Sequence, residues 1–141
     1  MERRDWLSIM ARAPHARLMA LAAPFERQVE IVRAAEIGSV MVRGRMGGSG
    51  AAFNLGEMSV TRAAVALDGH VGHGHVQGRS KAAAQAAALV DALMQGPDAE
   101  QVEAAILQPL LAERQAAART RSAKAAATKV DFFTMVRGET V

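Results

Sequence analysis

The chain predicts an α+β fold: N-terminal helices, a central antiparallel β-meander, then C-terminal helices and an extended C-terminal arm. Three observations carry this expectation. Apolar residues recur at helical spacing over the first 22 positions, the period falls to about two between residues 28 and 77, and helical spacing returns after Gly78.

In the first segment Trp6, Leu7, Ile9 and Met10 fall within one turn of each other, and Leu18, Met19 and Leu21 follow Pro14. Two short helices are expected, with Pro14 opening the second, where its missing N–H costs nothing, and Pro24 ending it. The middle segment is rich in valine and glycine, and its runs at residues 29–34, 39–45, 58–67 and 70–77 read as strands. In the second run Val40 and Val42 alternate with Met41, Arg43 and Arg45, so one face is basic.

Asp68-Gly69 between two strand-like runs predicts a two-residue type I′ hairpin, because both central residues of that turn need positive φ. The register then sets Leu67 against His70, Ala64 against His73 and Arg62 against His75, with Arg62, His73 and His75 on one side of the pleat. Beyond it, Ser80 suits an N-cap, and Ala86, Leu89, Val90, Leu93 and Met94 form a stripe ended by Gly96-Pro97. Asp98 with Gln101 resembles a capping box for a helix that turns Val102, Ala105 and Ile106 inward and meets Pro109. Residues 114–129 are alanine-rich with five basic and no acidic residues, a helix without an obvious core face.

A chain of 141 residues fits one domain, taken as residues 1–141, and excludes a multidomain enzyme. With 31 alanines and 4% aromatic residues the core must be thin and closely packed. No cysteine is present, which excludes disulfides, thiolate metal sites and a cysteine nucleophile. No apolar run reaches the roughly 20 residues of a membrane span, so the expectation is a cytoplasmic protein without a membrane partner. The formal charge of +3 favours anionic partners in general. Nucleic acid is not expected, since the basic helix lacks base-reading polar residues and a stacking platform.

Few patterns point to chemistry. His73 and His75 share a strand face at chelating spacing, but a third ligand would have to come from elsewhere, so no metal site is expected. The glycine-rich residues 44–50 lack both the Walker and the dinucleotide spacing and read as a flexible connection. Glu36, Glu57, Asp68 and Asp91 fall on separate elements and read as solvated, and no catalytic residue is assigned. The most suggestive set is cationic: Arg43, Arg45, Arg62 and Arg79 are the candidate phosphate ligands, because guanidinium groups bind phosphate oxygens in pairs. Finally, Phe132, Phe133, Met135 and Val136 place half of the four phenylalanines near the end of the chain, where they must be covered by this subunit or by another.

Several ordered strings carry a resemblance: IVRAAEIG at 31–38, RMGGSGAAFNLGE at 45–57, VTRAAV at 60–65, ALVDALMQ at 88–95 and, above all, VDFFTMVRG at 130–138. Spanning residues 6–138, they resemble the PhnG subunit family of bacterial carbon–phosphorus lyase. That resemblance implies a cytoplasmic bacterial complex with PhnH, PhnI and PhnJ, two copies of each. With PhnH, PhnI and PhnL the family takes part in a transfer to MgATP in which an alkylphosphonate replaces adenine at C1 of the ribose. The S-adenosylmethionine and iron–sulfur cluster implied for such an assembly belong to PhnJ; no cofactor is expected on this chain alone. Residues 130–141 would then be a partner-docking arm. The three histidines of residues 70–77 and the alanine content of 114–129 depart from the family pattern.

Overall fold

A computed structural model describes residues 1–129. The contacts group into two units, Met1–Leu111 and Ala112–Val141. The first unit begins with α1 (Arg3–Arg12) and α2 (His15–Ala22), followed by a short 3-10 turn over Ala23–Phe25. Next come β1 (Glu30–Arg45), β2 (Ala52–Leu67) and β3 (His70–Gln77), then α3 (Lys81–Met94) and α4 (Ala99–Val102). A π-helical turn, Glu103–Leu107, leads into α5 (Gln108–Ala127), which enters the second unit at Ala112. The expected α+β architecture is therefore present. The expected arm, with Phe132, Phe133, Met135 and Val136, lies outside the described residues.

The strands form one antiparallel sheet in the order β1-β2-β3. The hairpin register is the one that Asp-Gly predicts: Leu67 opposes His70, Ala64 opposes His73 and Arg62 opposes His75. Asp68 and Gly69 both have positive φ, 49° and 82°, as the type I′ turn demands. The first half of the sheet differs from expectation. The runs at 29–34 and 39–45 are one 16-residue strand, and β2 starts at Ala52 rather than at residue 58. Ala34, Ala35 and Gly38 weaken the strand pattern without breaking it, because pairing along β2 supplies the ladder that propensity alone does not. β1 carries extra residues between Ile31 and Arg33 and between Arg33 and Glu36; β2 carries one at Leu55.

One face of the sheet is covered by α3. Thr61, Ala63 and Val65 of β2, with Val76 of β3, are buried beneath Ala83, Ala84, Ala87 and Ala88. The close approach is possible because β3 alternates His and Gly with the glycines facing inward. A Cβ on Gly72 would overlap the carbonyl oxygen of Ala88, and one on Gly74 that of Ala84. Alanine on the helix and glycine on the strand thus make the thin core that the composition implies, and the fully buried Met10, Leu18, Ile106 and Leu107 are the large side chains in it.

Local signals hold the helices. Ser80 Oγ accepts the Ala83 N–H at 3.2 Å, capping α3 as expected, and the buried Thr61 hydroxyl donates to the Gly78 carbonyl at 2.8 Å while accepting the Ser80 N–H. Pro14 takes the N-cap position of α2 rather than its first turn. The capping box at Asp98 does not form: its carboxylate accepts instead from Arg27, at 2.6 Å. The π turn has a visible cause in Pro109, whose ring crowds the carbonyl four residues back and which offers no N–H; Gln108 N–H bonds the Glu103 carbonyl five residues back. In the second unit the helix continues from Ala112 to Ala127 with exposed side chains throughout, matching its lack of an apolar stripe.

Candidate functional site

The sheet face turned away from α3 holds the polar cluster that the hairpin register predicts. Because Arg62 and His75 are directly opposed, and His73 lies two residues along β3, all three project from that face. The two extra residues in β1 turn Arg33 and Glu36 to the same side, where they oppose Ala64 and Arg62. Glu36 becomes the centre of the cluster. Its Oε1 accepts from Arg62 Nε and NH2 at 2.6 Å and from Arg33 NH1 at 3.0 Å. The hydrogen bond from Arg62, then that from Arg33, hold the Glu36 carboxyl below its ordinary pKa. Two guanidinium groups around one carboxylate leave one excess positive charge beside His75.

Arg62 and His75 open onto a cavity of about 350 Å³ together with Glu36, Ile37, Gly38, Ser39, Val40 and Val60. Its lining offers an anionic group the Arg62 guanidinium, the His75 ring and the Ser39 hydroxyl, with the Glu36 carboxylate already engaging Arg62. The other predicted arginines are elsewhere. Ile37 opposes the buried Thr61, so alternation along β1 places Arg43 and Arg45 on the face opposite to Arg62. Arg45 donates to the Gly50 carbonyl at 3.1 Å, closing the turn between β1 and β2, and Arg79 is exposed in the turn before α3. The four arginines therefore do not converge within one subunit. Among the described residues no group of three His, Asp or Glu side chains is placed to hold a metal ion.

Sequence reasoning missed Asp91. Expected to be solvated, it is fully buried on α3 and accepts four hydrogen bonds. Arg3 Nε and NH2 reach it at 3.2 and 2.8 Å, the Trp6 indole N–H at 2.8 Å, and the His73 amide N–H at 2.8 Å. A carboxylate so enclosed ties α1 and the outer edge of β3 to α3 and leaves no lone pair aimed at a ligand. Gln95 Nε2 and His15 Nε2 donate to the Val71 and Gln77 carbonyls and cover the same edge. The signal available in advance was the placement of Asp91 inside the stripe formed by Leu89, Val90, Leu93 and Met94.

A second cavity, of about 390 Å³, lies between α2 and α3 and is lined largely by Met19, Ala22, Val29, Ala86 and Leu89. Its charged residues are Glu26 and Arg27, the latter held by Asp98, so it offers an apolar groove rather than a reactive centre. No helix among the described residues is long and apolar enough to cross a membrane.

Comparison with known proteins places the sequence in a family. A family model described as phosphonate metabolism protein PhnG matches residues 1–138. A curated relative from Rhizobium meliloti (strain 1021), the alpha-D-ribose 1-methylphosphonate 5-triphosphate synthase subunit PhnG, is 43% identical over 141 residues, covering 98% of this chain and 90% of its own length. Matched from the first helix through the phenylalanine-bearing end, the chain belongs to the PhnG family.

Proposed function

We propose that this chain is a non-catalytic subunit of an alpha-D-ribose 1-methylphosphonate 5-triphosphate synthase, working in a bacterial cytoplasmic core assembly with PhnH, PhnI and PhnJ homologues and with PhnL in the same transfer. In that reaction an oxygen of the alkylphosphonate bonds to C1 of the ribose of MgATP as the C1–N9 bond breaks, and adenine leaves with a proton. The S-adenosylmethionine and iron–sulfur chemistry of the later bond cleavage belongs to the PhnJ partner. The observation that carries this reading is 43% identity, over 98% of the chain, to a protein named as a subunit of that synthase.

The physical character of the chain supports a role within an assembly. The buried interior is built from alanine, glycine and a few larger residues, while Met41, Met46, Phe53 and Leu55 are 40–69% exposed. Partner association then supplies part of its stability. The phenylalanines at 132 and 133, with Met135 and Val136, are proposed as the docking arm. Deleting residues 130–141 is expected to abolish co-purification with the PhnI homologue; unchanged assembly would refute that role.

A second reading is favoured by the cavity beside Arg62 and His75: the subunit holds a phosphonate or triphosphate oxygen at an interface, with Arg43, Arg45 or Arg79 contributing where another subunit completes the site. Arg62→Ala and Arg79→Ala separate the readings. Turnover that falls while the assembly keeps its mass supports direct binding; turnover and assembly that change together support the scaffold.

A further inference from the structure

The two edges of the sheet are treated differently. The outer edge of β3 is covered by Arg3, His15, Gln95 and Asp91, which bond its backbone groups. Among the described residues, no hydrogen bond outside the β2 ladder reaches the backbone of β1. Its first half is guarded by two bulges and by the charges of Glu30, Arg33 and Glu36, the usual deterrents to further pairing. From Ile37 to Arg45 no extra residue interrupts β1 and no charge occurs before Arg43.

This unguarded half is also where the sheet is thinnest. β3 reaches only to Val60 on β2, so Ser39 and onward pair with β2 alone as a two-stranded ribbon. Such a ribbon is marginal in water without further cover. Ile37, Val40 and Met41 on its open strand are 37%, 43% and 49% exposed. Arg43 makes no ion pair among the described residues, and Arg45 bonds only a carbonyl. Open backbone, alternating apolar side chains and two unneutralised guanidinium groups specify an occupant.

We infer that residues 37–45 of β1 receive an extended strand from a different subunit of the synthase, adding a fourth strand whose side chains beside Arg43 and Arg45 are carboxylates. Backbone hydrogen bonds supply the affinity, and the acidic positions fix the register. A second copy of this chain fits less well: between Ile37 and Arg45 that face of β1 carries Ile37, Ser39, Met41 and the same two arginines, with no carboxylate to meet them. The inference rests on the subunit reading above and specifies which surface the assembly uses.

The test is amide hydrogen exchange on the full chain, alone and co-expressed with the other synthase subunits of its bacterium, together with the R43E/R45E variant. The expected result is that the amides of residues 37–45 turned away from β2 exchange freely in the isolated chain and slow by about tenfold or more in the assembly. R43E/R45E should weaken capture of the assembly by about tenfold while amides of α3 keep their protection, and cross-linking should place Asp or Glu of another subunit beside β1. An assembly that forms with exchange in 37–45 unchanged overturns the inference and leaves the subunit reading intact. Slow exchange in the isolated chain with a doubled mass also overturns it, in favour of self-pairing. If the tagged chain captures no synthase subunit, the subunit reading itself falls, and the inference with it.

Discussion

Asp91→Ala offers a sharp test of how this small fold is held together. The carboxylate is fully buried and is the acceptor for the Trp6 indole N–H, the His73 amide and two nitrogens of Arg3. Alanine leaves the Trp6 and His73 donors without acceptors, at about 1–3 kcal/mol each. The Arg3 side chain is 45% exposed and can regain water, so its share is small. The sum is about 2–6 kcal/mol, which brackets the roughly 3–5 kcal/mol lost when one member of a buried pair is removed. For a domain of total stability about 5–15 kcal/mol this is a large fraction. In urea unfolding of the isolated chain, with a slope of about 1–2 kcal/mol/M, the midpoint should fall by about 1 M or more. Asp91→Asn keeps the volume and one carbonyl oxygen and should lose less, about 2 kcal/mol. A midpoint for the alanine variant within the error of the parent would mean that α1, β3 and α3 are not joined through this carboxylate.

Other substitutions test the pleat and the polar face. Gly74→Val should destabilise by about 3 kcal/mol or more, since its side chain meets the Ala84 backbone, whereas His73→Ala, on the outer face, should stay within about 0.5 kcal/mol in thermal unfolding. Ser80→Ala should cost about 1 kcal/mol by removing the α3 cap, measured in the same way. The Glu36 carboxyl, held low mainly by Arg62, should titrate below the ordinary carboxylate range in carbon NMR, and Arg62→Ala should move its midpoint upward, with Arg33 retaining part of the shift. Since the folded pKa is the lower one, the stabilisation from this cluster is present at neutral pH and is lost as the pH falls through that depressed midpoint.

The parts of the fold that were legible share a local cause. Asp68-Gly69 sets the hairpin and its register through backbone stereochemistry, and Ser80 with the following alanines opens α3 through capping and propensity. What escaped depends on contacts distant in sequence. The three histidines of residues 70–75 invite a metal reading, yet the meaning of the Gly-His alternation at 72–75 lies in the glycines, which only the approach of Ala84 and Ala88 explains. Asp91 is a solvated acid by composition and a buried fastener once α1 is laid across β3. Arg43 and Arg62 both belong to a basic set in the sequence, but the pleat sends them to opposite faces, and bulges in β1 bring Glu36 onto Arg62. Composition signals a thin core, while the register alone decides which charges meet.

On the proposed reading this chain acts as part of a larger transferase and not by itself. Measuring adenine release from ATP in the presence of methylphosphonate, for the tagged chain purified alone and for the complex it captures, with the mass of each species determined alongside, tests it most directly. No release is expected from the lone chain, and release is expected from a hetero-oligomer that contains it. A monomer of this chain that frees adenine unaided would contradict it.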